Sequence, residues 1–295
     1  MKLPHPIPYQ GSKRNIAGKI LTYFPDDIDT LYESFVGSAA MTIAAAKYNK
    51  ANSFVLNDIN KPLMDIWEQI LTNPLKLSND YRMLWEEQLG NEKEFYKKVR
   101  NEFNQDPKAH QLLYLLARCV KNAVRYNDKG EFNQGPDNRR KGRQPSTMQK
   151  EILGASNILA GKTSFYVEDY VENVRRASKQ DLVYLDPPYQ GTRDSSKRYI
   201  QGLDLTKFIN CLHDMNERGI SYIISFDGKT GEKTYGEKLP DFLELTHIEI
   251  EAGVSSQSTL LGKNEKTIES IYLSRPLVNR LLNKKVEEQL ALFGG

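Results

Sequence analysis

The stretch that most constrains the fold runs from Asp181 to Tyr189 and reads DLVYLDPPY. Its apolar run has the length of one buried β-strand, and the two prolines that follow Asp186 cannot continue a sheet ladder. In an open α/β sheet, ligands bind in the crevice outside the carboxyl ends of the strands. We therefore expect Asp186 and Tyr189 to project into a pocket. Taken alone, Asp-Pro-Pro is also a common turn, so the rest of the chain has to decide.

Two segments nearer the N-terminus predict strand ends of the same kind. Residues 30–41 read as a strand, a turn of small residues around Gly37, and the start of an alanine-rich helix. The segment 53–60 reads as a second apolar strand that ends on an acid, Asp58. Rossmann-like folds hold nucleotide-like cofactors in such a strand, turn and helix, with an acid at the next strand end that accepts hydrogen bonds from ribose. One small-residue turn is more often tight packing, but three strands that end in polar or small residues are hard to ascribe to independent turns.

The first 146 residues also contain a long segment of different character. An opening loop offers the ring of Tyr9 and the ammonium of Lys13, and a helix is expected from Ile16 to Phe24. From Lys61 to about Ser146, helical periodicity replaces the strand signal, which predicts an inserted helical domain. Its helices are expected near 61–72, 79–89, 92–104 and 108–121.

The insert is predicted to end in a β-hairpin over 122–133, with Asn127-Asp128-Lys129-Gly130 as its turn. A basic cluster, residues 139–143, follows directly. A hairpin with Arg125 near its base and a cationic loop behind it suits insertion into a nucleic-acid groove. A surface hairpin without a function and a solvated charge run are the alternatives that the residues alone leave open.

The second half of the chain returns to alternating elements. A strand over 163–170 is expected to end in acids, Asp169 among them, and a polar stretch without periodicity follows Tyr189. Helices are predicted over 147–159, 203–218 and 277–292, and strands over 220–226, 244–251 and 270–273.

Composition excludes several classes of protein. Two cysteines without a Cys-x-x-Cys pair, and four scattered histidines, imply neither a metal site nor a disulfide framework. No apolar run approaches the length of a membrane span, and the N-terminus lacks the apolar core of a signal peptide, so we expect a cytoplasmic protein that does not engage membranes. A net charge of +3 is only a weak indication of a polyanionic partner.

Four segments in this order, 9–13, 35–39, 57–60 and 186–189, resemble the motifs of the Dam-type (alpha-group) adenine-specific DNA methyltransferases over nearly the whole chain. The resemblance implies a Rossmann-like α/β sheet that uses S-adenosylmethionine, with an inserted, mainly helical target recognition domain that carries a β-hairpin. It divides the chain into a catalytic domain over 1–65 and 147–295 and a recognition domain over 66–146. It further implies methylation of adenine in duplex DNA within a restriction-modification system, S-adenosylhomocysteine as product, no metal, action as a monomer, and functional pairing with a restriction endonuclease.

The resemblance also implies roles for individual residues. Asp186 and the carbonyl of Pro187 accept hydrogen bonds from the amino group of adenine, Pro188 helps to fix that backbone, and Tyr189 stacks on the base. Asp58 binds ribose, and Arg125 reads a guanine edge. The other cofactor contacts are Tyr9, Lys13, Phe35, Gly37, Ile59 and Asp169, with Asp186 beside them. The phosphate contacts are Arg139, Arg140, Lys141 and Arg143, and the further DNA-binding candidates are Asn122, Asn127, Lys129, Lys197 and Arg198.

The sequence departs from the family pattern in three places. Ala39 replaces the usual second glycine of the cofactor loop, which is tolerable if that residue has ordinary backbone angles. Lys121-Asn122-Ala123 stands where an aromatic-Asn-Gly stretch is common, and the region after Phe132 is longer and more basic than usual.

Two rival functions have to be weighed. One is methylation of another planar amine, in cytosine, in RNA or in a glutamine side chain, but aspartate at the first position of the 186–189 motif favours adenine. RNA is excluded less firmly, although a groove-sized hairpin favours duplex DNA. The other rival is a catalytically silent DNA-binding module of the same fold, against which the intact Asp58 and Asp186 argue.

Overall fold

A single mixed sheet organises the molecule in a computed structural model that describes residues 3–188, 203–230, 233–235, 239–254 and 266–293. The strands are β1 (Ile28–Glu33), β2 (Ala51–Asn57), β3 (Thr163–Tyr166), β4 (Leu182–Leu185), β5 (Ser221–Thr230), β6 (Lys233–Tyr235), β7 (Thr246–Val254) and β8 (Lys266–Leu273). Their order is β3-β2-β1-β4-β5-β8-β7, with β6 paired to β5. The five strands from β3 to β5 are parallel, and β8 and β7 are antiparallel to their neighbours. The predicted Rossmann-like fold is confirmed.

The strand order reverses between β1 and β4, and this reversal places the site. From β1 the chain moves outward to β2 and β3 on one side, and later to β4 and β5 on the other. Tyr32 of β1 pairs with Val183 of β4, so these two strands end at the same edge of the sheet. A crevice at such a switch point is where open α/β sheets bind their ligands.

Ten α-helices surround the sheet in the described part of the chain. They are α1 (Ala17–Ile20), α2 (Ala40–Lys47), α3 (Lys61–Thr72), α4 (Pro74–Glu87), α5 (Glu92–Gln105), α6 (Ala109–Arg118), α7 (Pro145–Leu159), α8 (Tyr170–Val174), α9 (Leu205–Glu217) and α10 (Arg275–Phe293). Helices α3 to α7 lie between β2 and β3 and form the inserted segment. Within the described ranges, no helix combines the length and apolarity needed to cross a membrane.

Alternation along the strands sorts the core into two clusters, one on each face of the sheet. In β4, Leu182 and Tyr184 pack on the face covered by the inserted helices, whereas Val183 and Leu185 pack on the face covered by α8 and α9. All four residues are buried, as expected for a central parallel strand with both faces covered.

The inserted helices share their core with the sheet. Trp67 of α3, Leu112 of α6 and Met148 of α7 belong to the same hydrophobic cluster as Leu56 of β2. Helix α3 also crosses residues 65 and 66, where the sequence suggested the boundary between the catalytic and recognition domains. Among the described residues, the insert and the sheet therefore share one hydrophobic cluster.

Several predicted elements have different bounds in the structure. The helix expected from Ile16 to Phe24 is a single turn, α1, flanked by 3₁₀ turns. The helix expected near 79–89 begins at Pro74, because a proline is well tolerated at the first helical position. Strand β5 continues past Phe226 to Thr230, where it pairs with β6 and β8. Strand β3 ends at Tyr166, so Asp169 lies beyond the strand, at the N-cap of α8.

The predicted hairpin is present as a turn, but its strands are minimal. The amide of Asn127 donates to the carbonyl of Glu131 at 2.9 Å, and the amide of Gly130 donates to the carbonyl of Asn127 at 2.9 Å. The two arms meet in one isolated bridge, between Tyr126 and Phe132. Side-chain contacts replace the missing ladder, since the Asn104 amide group on α5 both donates to and accepts from the Phe132 backbone.

Candidate active site

A cavity of about 390 Å³ opens at the carboxyl ends of the parallel strands. Its walls come from the N-terminal loop, from the turns after β1, β2, β3 and β4, and from the start of α9. The structure therefore brings together candidate residues that are far apart in the sequence. Those that line the cavity are Tyr9, Lys13, Phe35, Gly37, Asp58, Ile59, Asp169, Asp186, Pro187 and Pro188. Tyr189, Lys197 and Arg198 lie outside the described residues.

Asp58 is held in place by backbone amides at the end of β2. Its Oδ1 accepts from the amide of Asn60 at 3.0 Å, and its Oδ2 accepts from the amide of Gly37 at 3.5 Å. Burial raises the pKa of Asp58 to about 6, and the two amide hydrogen bonds oppose that rise. The carboxyl group is therefore ionised at neutral pH and can accept hydrogen bonds from hydroxyl groups of a ligand.

Gly37 is a position at which a side chain would be both crowded and strained. Its φ of +45° lies in the left-handed region, and a Cβ added there would be 3.1 Å from Cε1 of Tyr9. The indole Nε1 of Trp67 donates to the Gly37 carbonyl at 3.1 Å and fixes the turn from below. The bare backbone of Gly37 and the ring of Tyr9 therefore form one wall of the cavity.

Ala39 does not have ordinary backbone angles. Such angles were the condition under which alanine could replace the usual glycine at this position. It adopts φ 48° and ψ 40°, in the left-handed region, immediately before α2. For an L-residue this conformation costs about 1–2 kcal/mol, which explains why glycine suits the position. The condition for an unstrained replacement of glycine is therefore not met at Ala39, and the tight turn from β1 into α2 retains this strain.

Lys13 contacts the carboxylate of Asp186 directly. Its Nζ lies 2.8 Å from Oδ1 and 3.0 Å from Oδ2 of Asp186. Burial tends to lower the pKa of Lys13, but the carboxylates of Asp186 and Glu269 outweigh it and raise that pKa above its usual value. Burial also raises the pKa of Asp186, and the positive charge of the Lys13 ammonium partly offsets that rise. The two side chains form an ion pair between the opening loop and the end of β4.

Aromatic and charged groups close the side of the cavity that faces α8 and α9. Asp169 caps α8 by accepting from the Val171 amide at 2.9 Å, and its other oxygen pairs with Lys207 at 2.8 Å. The rings of Phe35 and Tyr170 lie 5.0 Å apart between centroids. Asp169 thus lies at the cavity wall, with its carboxylate held by two partners.

Two residues that support the site had no role assigned to them from the sequence. Glu33 is buried at the end of β1, accepts from the amides of Met41 and Thr42 at 3.4 and 2.8 Å, and has its pKa raised by burial to about 7. Asn57 donates to the carbonyls of Ser34 and Glu168. Each is a polar residue at a strand end, which is the signal that could have identified it.

The residues predicted to read DNA lie on the hairpin and on the turn before it. Asn122 has φ 53°, and its carbonyl accepts from the amide of Gln10 at 3.0 Å, which joins the turn to the cavity rim. Asn127 accepts from the Lys129 amide at 3.0 Å and shapes the tip, where Lys129 is exposed. The buried Nε of Arg125 has no hydrogen-bond partner among the described residues.

The basic cluster is already paired with acids of the chain. Arg139 and Arg140 lie 3.2 and 2.7 Å from the Asp137 carboxylate, and Lys141 lies 2.8 Å from Glu92. Arg143 is half-buried and donates to the carbonyl of His5. Arg139, Arg140 and Lys141 are more than half exposed and remain accessible to a ligand, whereas Arg143 is mainly engaged inside the protein.

An internal scaffold holds the backbone of this basic loop. The guanidinium of Arg118, which is 2% exposed, donates to the carbonyls of Asp137 and Arg140. The amide of Gln88 donates to the carbonyl of Lys141 at 3.0 Å, and the hydroxyl of Tyr81 donates to that of Arg143 at 2.7 Å. The loop carbonyls are therefore turned inward and satisfied by buried side chains.

The fold and the cavity define a Rossmann-like protein with a carboxylate-lined site at the strand ends. The family model for D12 class N6 adenine-specific DNA methyltransferases matches residues 9–255. This chain belongs to that family.

Curated relatives agree with that assignment. The chain is 25% identical over 280 residues to the type II methyltransferase M1.LlaDCHI of Lactococcus lactis subsp. cremoris, covering 90% of this chain and 94% of that protein. It is 23% identical over 279 residues to the type II methyltransferase M.FokI of Planomicrobium okeanokoites, covering 90% of this chain and 42% of that protein. It is 31% identical over 191 residues to the DNA adenine methylase of Salmonella typhi, covering 62% and 64%. The chain thus spans less than half of the M.FokI protein and nearly all of the Lactococcus protein.

Proposed function

We propose that this chain transfers a methyl group from S-adenosylmethionine to the exocyclic amino group of a flipped adenine in duplex DNA. The observation that carries the proposal is the shared cavity, in which Asp186 and the Pro187 backbone lie beside Asp58, Gly37 and the other residues assigned to the cofactor. Family membership supports adenine as the target and DNA as its source.

The residues of the cavity fit S-adenosylmethionine. The volume of about 390 Å³ falls in the range of sites for ligands of that size. Asp58 presents an ionised carboxylate for the ribose hydroxyls, and Ile59, which is 42% exposed, presents an apolar face for the adenine ring. Tyr9, Phe35, Gly37 and Asp169 complete the walls. The cofactor supplies an electrophilic methyl group on a sulfonium.

Asp186 and Pro187 act on the acceptor. The amino nitrogen of adenine is a poor nucleophile because its lone pair is delocalised into the ring. A carboxylate oxygen of Asp186 and the carbonyl oxygen of Pro187 accept hydrogen bonds from the two amino hydrogens, which favours a tetrahedral nitrogen with an available lone pair. The prolines fix the direction of that carbonyl. These contacts strengthen as charge develops on nitrogen, so they stabilise the transition state more than the ground state.

The hairpin and basic loop bind the duplex. A base inside a duplex cannot reach this cavity, so the adenine is extruded at a cost of a few kcal/mol. The hydroxyl of Tyr126 donates to Asn60 at 3.4 Å and ties the hairpin to the cavity wall. Arg125 reads a guanine edge, with Asn122, Asn127 and Lys129 beside it. The phosphate contacts are Arg139, Arg140 and Lys141. Tyr189 of the 186–189 motif stacks on the base, and two further DNA-binding residues follow that motif in the sequence, Lys197 and Arg198.

The same proposal extends to the biological setting. Two of the similar proteins are named type II methyltransferases, which supports a role as the modification half of a restriction system with a cognate endonuclease. We propose that the chain acts as a monomer on DNA in the cytoplasm.

The test is to sequence genomic DNA from cells that express the chain with a method that detects 6-methyladenine. The proposal expects this base at one short recognition sequence, and its absence would contradict the proposal.

Cofactor affinity is expected to depend on pH through Asp58. Because its pKa is about 6, lowering the pH from 7 to 5 protonates the carboxyl group and removes an acceptor for the ribose hydroxyls. The affinity for S-adenosylhomocysteine should therefore fall as the pH decreases through 6. Asp58→Asn should bind roughly tenfold more weakly at pH 7 and lose this pH-dependent component. Isothermal titration calorimetry across this pH range measures both effects.

The control for this prediction is Asp65→Asn, which changes a partly exposed carboxylate on α3 that pairs with Lys61. It should retain the pH dependence of the wild type. If Asp58→Asn keeps the same pH dependence as the wild type, the ribose role of Asp58 is wrong.

DNA affinity is expected to become less sensitive to salt when the basic loop is neutralised. The double variant Arg139→Gln, Lys141→Gln removes two exposed cations and leaves Arg140 paired with Asp137. The slope of log affinity against log salt should become less steep by about 1 for each phosphate that the variant no longer neutralises. Lys179→Gln is the matched control, since Lys179 is exposed and precedes β4 at the opposite edge of the sheet. Equal slopes for the wild type and the double variant would exclude the loop from the DNA interface.

A further inference from the structure

Glu269 on β8 lies beside the catalytic end of the cavity, although no motif pointed to it. Its Oε2 is 3.9 Å from Nζ of Lys13, and its side chain is 19% exposed. The same ammonium contacts Asp186 at 2.8 Å. Three elements that are distant in sequence, the opening loop, the end of β4 and β8, therefore bring two carboxylates to one buried lysine.

In the present arrangement, Lys13 occupies the oxygens that the reaction requires. Both Oδ1 and Oδ2 of Asp186 lie within hydrogen-bond distance of its Nζ. The proposed transfer needs one of these oxygens to accept from the amino group of the target base. An Asp186 oxygen that already accepts from the ammonium is a weaker acceptor for the incoming amine, so the two donors compete for its charge.

The ammonium would lose a charged partner if it released Asp186, because the Gly11 carbonyl, 3.3 Å from its Nζ, is a neutral acceptor. Lys13 is only 6% exposed, so solvent stabilises its charge little and a second carboxylate would do so better. The Glu269 carboxylate lies just outside hydrogen-bond distance, and a shift of about 1 Å would bring it within the 2.7–2.9 Å typical of charged pairs. The Glu269 carboxylate is therefore placed to accept the hydrogen bond from Lys13 that Asp186 loses.

We propose that Glu269 is a positioning residue that takes over the Lys13 ammonium when the target amine reaches Asp186. The inference rests on the proposed function, because it is the amine of the target base that displaces the lysine. Glu269 itself does not contact the base. It acts through Lys13, and it leaves one oxygen of Asp186 available for the transition state.

The charges around this group give the proposal a pH signature. Lys13 faces Asp186, Glu269 and the Tyr184 hydroxyl, while Asp186 also faces the carboxyl group of Glu33. The negative charge of Glu269 raises the pKa of Asp186. Removing that charge should therefore lower the pKa of Asp186 and move its contribution to the acid limb of the rate profile to lower pH.

The test compares Glu269→Gln with the wild type in single-turnover methylation of a duplex substrate. We expect the rate constant to fall by about tenfold, because the lysine keeps both oxygens of Asp186, while the affinity for S-adenosylhomocysteine stays unchanged. The acid limb should shift to lower pH. Glu269→Asp should recover part of the rate, since it restores the charge on a shorter side chain.

The control is Glu249→Gln on the adjacent strand β7, where the glutamate is exposed. It should match the wild type in rate and pH profile. A folded Glu269→Gln variant with the wild-type rate and acid limb would overturn the inference. If that variant does not fold, Glu269→Ser, which also removes the carboxylate, carries the test, and the wild-type rate and acid limb in it would overturn the inference. Absence of adenine methylation by the wild type in the same assay would instead contradict the proposed function.

Discussion

Replacing Asp186 with alanine is expected to lower the rate of methyl transfer by about 10²–10³-fold, the effect of removing one group that stabilises developing charge. The side chain accepts from the target amine mainly in the transition state, so the loss should appear in the single-turnover rate. Binding of S-adenosylhomocysteine and of duplex DNA should persist, because Asp58 and the basic loop are untouched. Rapid-quench measurement of methylated product, with calorimetry for binding, separates these quantities.

Asp186→Asn provides the matched comparison for this prediction. Asparagine preserves the shape of the side chain and one acceptor oxygen but removes the charge that pairs with Lys13. Its rate should lie between those of the wild type and the alanine variant. Full activity in Asp186→Ala would show that another group holds the amine, and equal loss of cofactor binding would assign Asp186 a structural role.

Gly37→Ala is expected to weaken cofactor binding by at least about tenfold. The added Cβ would lie 3.1 Å from the Tyr9 ring in a backbone conformation with φ +45°, so either the ring or the turn must move. Because both form the cavity wall, the backbone can no longer approach the cofactor closely. The left-handed conformation adds a destabilisation of about 1–2 kcal/mol. Calorimetry with S-adenosylhomocysteine and urea denaturation measure the two effects.

Gly161→Ala is the control that separates the effect of backbone strain from the effect of the Cβ contact with Tyr9. Gly161 has φ +80°, in the turn between α7 and β3, and a Cβ there would meet nothing within 4 Å. This variant should lose stability to a similar degree yet bind the cofactor as the wild type does. If both variants lose affinity equally, the effect of Gly37→Ala reflects stability alone.

The central strand could be predicted from the sequence because its signals are local. Strand β4 covers Leu182–Leu185 and ends before Asp186, as the apolar run and the two prolines indicate. Asp58 follows β2 for a similar reason, since an apolar run ends in a polar residue. The parallel arrangement then brings these strand ends to one edge of the sheet.

Other features depend on contacts between distant residues. The ion pair of Lys13 with Asp186 joins positions 173 residues apart, and no periodicity links them. The tight turn into α2 sets the left-handed backbone conformation of Ala39. The amino-acid sequence does not reveal this strain, because alanine usually adopts ordinary backbone angles. The pairing of Arg139 and Lys141 with acids likewise depends on tertiary structure. The run of basic residues therefore predicted a cationic surface, but it could not show that nearby carboxylates neutralise part of that charge.

The central claim is that Asp186 and the Pro187 carbonyl hold the amino group of an extruded adenine. The most direct test is a crystal structure of the chain with S-adenosylhomocysteine and a duplex that contains its recognition sequence. We predict one adenine outside the helix, with its amino nitrogen within about 3.2 Å of an Asp186 oxygen and of the Pro187 carbonyl, the usual limit for such hydrogen bonds. An adenine that remains stacked in the duplex, or an extruded base whose amino group contacts neither residue, would contradict the account.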